Sequence, residues 1–369
     1  MCPLRNSTVL FVTSRVGHTL SRVERRWLPL MEALVAGQVR VMLVAAPAGP
    51  LVAPARALGV TIAPYRVDRF NIWISRNRLR AYLRRHEPTV ALAAGYHADI
   101  PLRLAARELP VKVVSATHCG GWRYSGVGPI TTWGRRRLER RTRSRVDAFV
   151  VDCRDAAEAM IADGISSDRI TVVAPGIDTG AVTREAALAF EMPGTGPRVG
   201  YAGALERSRG LGTLAAAAPA IRARHPEVSV LVAGEGPARL GLLPAALDGR
   251  IELVGRPESV PAFLSALDVC VFPSSEPGIP TPLLEAAALG RPIVACDVPG
   301  ISGLLADGTE IVLVPRGNAP ALAEAIIGLL DDPERATKLG RAARMRMLDD
   351  YPAAAVARHG LELIRSLSA

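Results

Sequence analysis

The sequence predicts an α/β protein of two doubly wound parallel-sheet domains, and three observations carry that expectation. The chain has 369 residues, too many for one small core and suited to two domains at about 100–200 residues each. Short apolar runs alternate with helix-like segments from one end to the other. The alternation occurs in both halves, and strands separated by helices are the pattern of parallel βαβ units.

In the first half the strand-like runs are TVLFV, VRVMLVAA, TVALAAG, VKVVSAT, AFVVD and ITVVAPG; in the second they are RVGYAGAL, VSVLVAGEG, IELVG, VCVFPS, PIVACD and EIVLVP. After the first run, Val23, Trp27, Leu30 and Leu34 fall at helical spacing, so strand one feeds a helix through the loop SRVGHTLSR. The same strand, loop, helix order returns in GYAGALERSRGLGTLAAAAPAI. Helical composition gives way to Pro and Gly in AALAFEMPGTGP, residues 186–197, which is the expected linker. The expected division is residues 1–188, residues 189–347 and a terminal segment 348–369 that packs back toward the first domain. DPERATKLGRAARMRML and YPAAAVARHGLELIRSLSA form successive helices with no strand between them.

Composition narrows the functional classes. Hydrophobic residues make up 49%, an ordinary globular content. No uninterrupted apolar run approaches the ~20 residues of a membrane span. Cys2, Cys119, Cys153, Cys270 and Cys296 are scattered, without a C-x-x-C pair or histidines at metal-ligand spacing, so the expected compartment is a reducing cytoplasm and no metal is expected. Residues 1–190 carry 28 Lys and Arg against 15 Asp and Glu, whereas residues 191–369 carry 17 against 20. The first half should therefore attract anions. Its run GRRRLERRTRSR reads as a solvated helix or, through Arg135 to Arg145, as a peripheral contact with an anionic membrane. With aromatics at 4%, a stacking platform for nucleic acid is not expected.

In doubly wound sheets, ligands sit beyond the carboxyl ends of the strands, where loops and helix N-termini present unpaired N–H groups. SSEPGIPTPLLEAAALG lies at such a place, between the strand VCVFP and a helix closed by Gly290. Thr281 is the expected N-cap, with Pro282 at the first helical position. Pro277, Pro280 and Pro282 lack N–H, so Glu276, Gly278, Ile279, Thr281 and Leu283 are the available backbone donors. Glu285, about one turn inside the helix, either compensates the helix dipole or accepts hydrogen bonds from paired ligand hydroxyls.

Four second-half segments, YAGALERSRGLGTL, VLVAGEGP, IELVGRPESVPAFLSALDVCVFPSSE and the proline-rich loop, together resemble the retaining, nucleotide-sugar-dependent glycosyltransferases of family four. The resemblance implies the GT-B fold, two Rossmann-like domains facing a cleft. It implies that Gly203 and Arg209 hold the donor diphosphate and that Gly234, Gly236 and Arg256 pack around the nucleotide base. Gly278, Ile279, Pro280 and Thr281 would form a backbone clamp, Glu285 would meet the ribose, and Glu276 would be the sugar-facing carboxylate. The two glutamates stand nine positions apart where the family has eight, so one extra loop residue is implied. In the first half DRITVVAPGIDTGAV resembles the family's strand and turn before the linker, with Gly176 and Asp178 matching. His118 matches a histidine near the donor sugar, while His97 lines either the acceptor side or the core. The first loop lacks the family's paired glycines, and Ala204 stands where an arginine usually follows Gly203.

The implied activity is retaining transfer of a hexose-type unit from a nucleoside diphosphate, UDP rather than GDP, to a hydroxyl of a polar lipid, secondary metabolite or small polyol. No cofactor is expected beyond the nucleotide-sugar co-substrate. No D-x-D follows an apolar strand, so transfer is expected to be metal-independent. No carboxylate announces itself as a nucleophile. A nucleotide-sugar epimerase of the same fold and a non-catalytic partner subunit remain as alternatives.

Overall fold

The computed structural model describes residues 7–14, 22–65, 67, 71–116, 129–188, 190 and 195–368, without the side chains of 22, 23, 25, 26 and 129–132. The chain divides into two units, residues 1–176 with 353–369, and residues 177–352.

The first unit contains β1 (Thr8–Thr13), α1 (Arg22–Ala36), β2 (Arg40–Ala45), α2 (Val52–Ala57), β3 (Thr61–Pro64), α3 (Ile72–His86), β4 (Val90–Ala94) and α4 (Tyr96–Ala105). It continues with β5 (Lys112–Ala116), α5 (Pro129–Thr142), β6 (Ala148–Val151), α6 (Arg154–Ala162) and β7 (Ile170–Val172). Its seven strands run in the order β3-β2-β1-β4-β5-β6-β7, every pair parallel. The second unit contains α7 (Thr179–Ala186), β8 (Arg198–Ala202), α8 (Leu211–Arg224), β9 (Ser229–Ala233), α9 (Arg239–Leu247), β10 (Glu252–Gly255) and α10 (Val260–Ser265). It continues with β11 (Val269–Phe272), α11 (Thr281–Ala288), β12 (Ile293–Cys296), β13 (Val312–Val314), α12 (Ala319–Asp331) and α13 (Pro333–Asp350). Its six strands run β10-β9-β8-β11-β12-β13, again all parallel. The expected α/β class with two Rossmann-like sheets is therefore present.

Sheets covered on both faces explain why the strands are continuous apolar runs rather than alternating ones. β9, β11 and β12 are buried at every residue. The strand absent from the sequence expectation is β3, an edge strand of 4 residues that ends in a proline.

On one face of the first sheet, α1 buries Trp27, Leu30, Met31 and Leu34 against the strands. The last helix, α14 (Ala353–Ser368), belongs to this unit and packs on α1. It buries Val356, Ala357, Gly360 and Ile364, a single helical stripe. Gly360 is required there, since a Cβ would stand 2.9 Å from the Leu30 methyls. Burying Ile364 contributes about 1.5–3 kcal/mol.

Between α4, β5 and α5 lies an ionic cluster that the sequence did not suggest. Arg103, 2% exposed, donates to Asp99, to Glu139 at 3.1 Å and to Ser115 Oγ at 3.1 Å. Those two carboxylates hold the guanidinium charged, raising its pKa despite burial. A second departure concerns the cysteines: Cys153 is disulfide-bonded, with its partner outside the described residues, whereas Cys270 and Cys296 are free and buried.

Candidate functional site

In the second sheet the strand order reverses between β8 and β11, the neighbouring pair at which successive connections turn in opposite directions. Such a switch point leaves a crevice outside the carboxyl ends of the strands. The loops after β8, β9 and β11 meet there, and their backbones interlock through glycines.

After β8, Gly203 has φ +148°, and a Cβ would stand 2.6 Å from Tyr201 Oη. Tyr201 donates to the Ala204 carbonyl at 2.9 Å. Burial raises the phenol's pKa, so it remains a donor. Gly234 (φ +140°) places its Cα edge against the Gly203 carbonyl, where a Cβ would come within 1.8 Å. At Gly236 a Cβ would come within 2.4 Å of the Leu205 carbonyl. The amides of Leu205 and Ala238 complete this joint, donating to Glu235 O at 2.9 Å and Leu205 O at 2.8 Å.

The β8 loop continues through a 3-10 turn, Arg207–Arg209, to Gly210 at φ +64°. A Cβ on Gly210 would come within 1.8 Å of the Pro273 carbonyl. Beside it the Ser275 amide donates to Ser208 O at 2.9 Å, and Ser275 Oγ lies 3.1 Å from the same oxygen. The turn carrying Arg209 is thereby fastened to the loop after β11. Arg209 is half-buried and lies 3.8 Å from Glu206, an exposed carboxylate. Such a pair, open to solvent on one side, leaves the guanidinium able to turn to a stronger anionic partner.

The proline-rich loop departs from expectation in two ways. Helix α11 has Pro280 as its N-cap, at φ −65° and ψ 135°, and Thr281 is its first residue. The fixed φ of Pro280 and its extended ψ end the loop one residue earlier than a threonine cap would. The available donors are also fewer, because the Gly278 amide is used by Pro299 O at 2.9 Å and the Leu283 amide by Pro280 O at 3.1 Å. Among the described residues the amides of Glu276 and Thr281 have no recorded backbone acceptor. Gly278 (φ +137°) adopts a conformation suited to glycine. Ile279 and Pro280 are buried, and Thr281 and Glu276 are partly exposed. Glu285 sits on α11, buried at 7% exposure.

The structure thus gathers Gly203, Arg209, Gly234, Gly236, Gly278, Thr281 and Glu285 onto the loops and first turns at one edge of one sheet. Arg256 follows β10 and is exposed, at the outer end of that edge. Sequence reasoning missed Arg316, whose Nη1 donates to Ser275 O at 3.0 Å; it lies two residues beyond β13, a strand-end position of the kind that singled out the loop after β11. It also missed Ser274, fully buried with no partner for its hydroxyl among the described residues. In the first unit, His97 is the second residue of α4, and His118 lies outside the described residues, as does most of SRVGHTLSR. Asp178 acts as the N-cap of α7, accepting from the Ala181 amide at 2.8 Å. No metal-binding cluster of His, Cys, Asp or Glu occurs among the described residues.

Residues 23–181 match the family model described as Glycosyltransferase Family 4, and residues 196–332 match the one described as Glycosyl transferases group 1. Glycogen synthase of Mycobacterium tuberculosis is 32% identical over 280 residues, 72% of this chain and 62% of that protein. D-inositol 3-phosphate glycosyltransferase of Corynebacterium urealyticum is 30% identical over 256 residues, 63% of this chain and 60% of its own. The chain therefore spans less than two thirds of these relatives. Among solved structures, Anabaena HepE in complex with UDP and glucose superposes with a TM-score of 0.79 at 15% identity, over 98% of this chain and all of its own, a likeness of fold. Two family models that between them cover most of both units, on a GT-B architecture, place the chain in the family-four, group 1 glycosyltransferases.

Proposed function

We propose that the chain transfers a hexose-type sugar, with retention and without a metal ion, from a nucleoside diphosphate donor to an acceptor hydroxyl. The observation that carries this reading is the fastening of the Arg209 turn to the proline-rich loop beside the switch point. Breaking a sugar–phosphate bond leaves negative charge on the diphosphate, so the catalyst must stabilise anionic oxygens. Arg209, the Thr281 amide and the first turn of α11 supply positive potential from a rigid frame, which costs no reorganisation when charge develops. Glu285, held in the second turn of the same helix, accepts from ribose hydroxyls, and Glu276 faces the sugar. Gly234, Gly236 and Arg256 bound the base, with UDP preferred to GDP. The donor is the one co-substrate required, and neither a cofactor nor a metal takes part.

The acceptor is a small polyol, secondary metabolite or lipid-linked hydroxyl. The names of the relatives support the reading, since each transfers or polymerises sugars, and the HepE complex contains UDP and glucose.

The test is mass-spectrometric screening of a nucleotide-sugar panel for slow hydrolysis after exhaustive EDTA treatment, which requires no acceptor. Hydrolysis of one donor with loss of its diphosphate is the expected result. Isomerised donor would indicate an epimerase, and a strict divalent requirement would refute the metal-free mechanism. By calorimetry, Glu285→Ala should weaken UDP binding far more than Glu276→Ala.

A further inference from the structure

Beyond sugar transfer, we infer that α3 and α5 together form a docking surface for an anionic lipid bilayer. Right-handed parallel crossovers put α3, α4 and α5 on one face of the first sheet. α4 packs against both of the others, so α3 and α5 flank it. Arg135 of α5 lies 5.3 Å over the ring of Tyr96, the first residue of α4. Arg80 of α3 donates to Arg107 O, just past the C-terminus of α4, at 2.9 Å. The three helices therefore run parallel, with their N-termini at the same edge.

Each flanking helix carries an exposed tryptophan in its first turns, Trp73 at 64% and Trp133 at 63% exposure. Ile74, 44% exposed, extends the first of these apolar patches. Both indoles are backed by arginine from the next turn, Arg76 at 5.6 Å and Arg137 at 5.3 Å. α3 contains five arginines and no acidic residue. α5 contains five arginines and one acid, Glu139, which is turned inward onto Arg103 along with Asp99 of α4. The ionic cluster thus removes the acids of α4 and α5 from the surface, leaving Arg78, Arg84, Arg136 and Arg141 facing solvent. The exposed carboxylates at the margins of this face are Glu87, the C-cap of α3, Asp163, 3.9 Å from Arg140, and Glu108, paired with Arg80 and Arg107.

Arginine alone would suit any polyanion. Two exposed tryptophans at one end of a cationic face suit the headgroup region of a membrane, where indoles partition and arginines meet lipid phosphates. No described helix is long and apolar enough to cross a membrane, so the contact is peripheral.

Co-sedimentation with phosphatidylcholine vesicles, alone or with about a third phosphatidylglycerol, tests the inference. The chain should bind the anionic vesicles, leave them at high salt and ignore the neutral ones. Brominated lipid should quench tryptophan emission. Each arginine at an anionic surface contributes about fivefold in partitioning, so Arg136→Gln/Arg137→Gln should weaken binding about twenty-five-fold. Trp73→Ser/Trp133→Ser should abolish the bromine quenching, while Arg335→Gln/Arg341→Gln on the second unit should change nothing; circular dichroism checks that each variant folds. Failure to bind anionic vesicles, equal binding to neutral ones, or displacement by polyphosphate with no bromine quenching in the wild type would overturn it.

Discussion

Replacing Gly210 by alanine tests whether the candidate site depends on the joint between its two loops. At φ +64° an L-residue costs about 1–2 kcal/mol. The added Cβ would also stand 1.8 Å from the Pro273 carbonyl, so the two backbones must part. Separation removes the two hydrogen bonds from Ser275 to the Ser208 carbonyl, at 2.9 and 3.1 Å, each contributing about 0.5–1.5 kcal/mol. The total destabilisation is about 2–5 kcal/mol. Gly212, two residues on, lies inside α8 with nothing within 4 Å of its Cβ direction, so Gly212→Ala should stabilise by about 0.5–1 kcal/mol. Urea unfolding of the two variants should therefore shift in opposite directions, and calorimetry should show UDP affinity falling for Gly210→Ala alone. A Gly210→Ala midpoint indistinguishable from wild type would refute the close approach, and unchanged UDP affinity in a destabilised variant would refute its role in binding.

Three other outcomes follow from the same physical reasoning. Arg103→Met leaves Asp99 and Glu139 without their buried cation and should cost about 3–5 kcal/mol, read as a lowered Tm and recovered in part by adding Glu139→Gln. Burial pushes the Cys270 thiol up to about 12 and raises Tyr201 as well; the folded state then keeps protons that the unfolded chain releases, so the contribution of these two groups to stability should be constant from neutral pH to about pH 8 and fall as pH rises toward 12, by at most about 1.4 kcal/mol per pH unit for each group. A flat urea midpoint across that range would contradict it. Ala204 is exposed beside the Gly203 turn, so Ala204→Arg should add a phosphate contact and raise UDP affinity roughly five- to tenfold; unchanged affinity would mean that position 204 does not face the diphosphate.

The strands were legible because a parallel strand covered on both faces has to be nearly all apolar, and runs such as VCVFP and PIVAC satisfy that without tertiary information. β3 was not, because an edge strand with one neighbour needs less apolar surface, and TIAP is short and ends in proline. Arg103 was hidden differently: among 43 arginines in a chain of 369 residues, nothing local distinguishes one that Ser115 and Glu139 capture from other elements. The same limit governs the candidate site. Strand-end position was enough to nominate the loop at 276–281, since topology fixes where strand ends go, whereas Arg209 was nominated only by the family resemblance of the segment that carries it. The contacts that give the loops one shape join residues more than sixty positions apart, Ser208 to Ser275 and Gly210 to Pro273, and have no local signature. A site assembled this way is specified mostly by where side chains are absent. Glycine at 210, 234 and 236 lets carbonyls approach to distances that any Cβ would forbid, and glycine at 203 does the same for the Tyr201 hydroxyl, so the spacing of those glycines carries more of the candidate site than the spacing of Glu276 and Glu285.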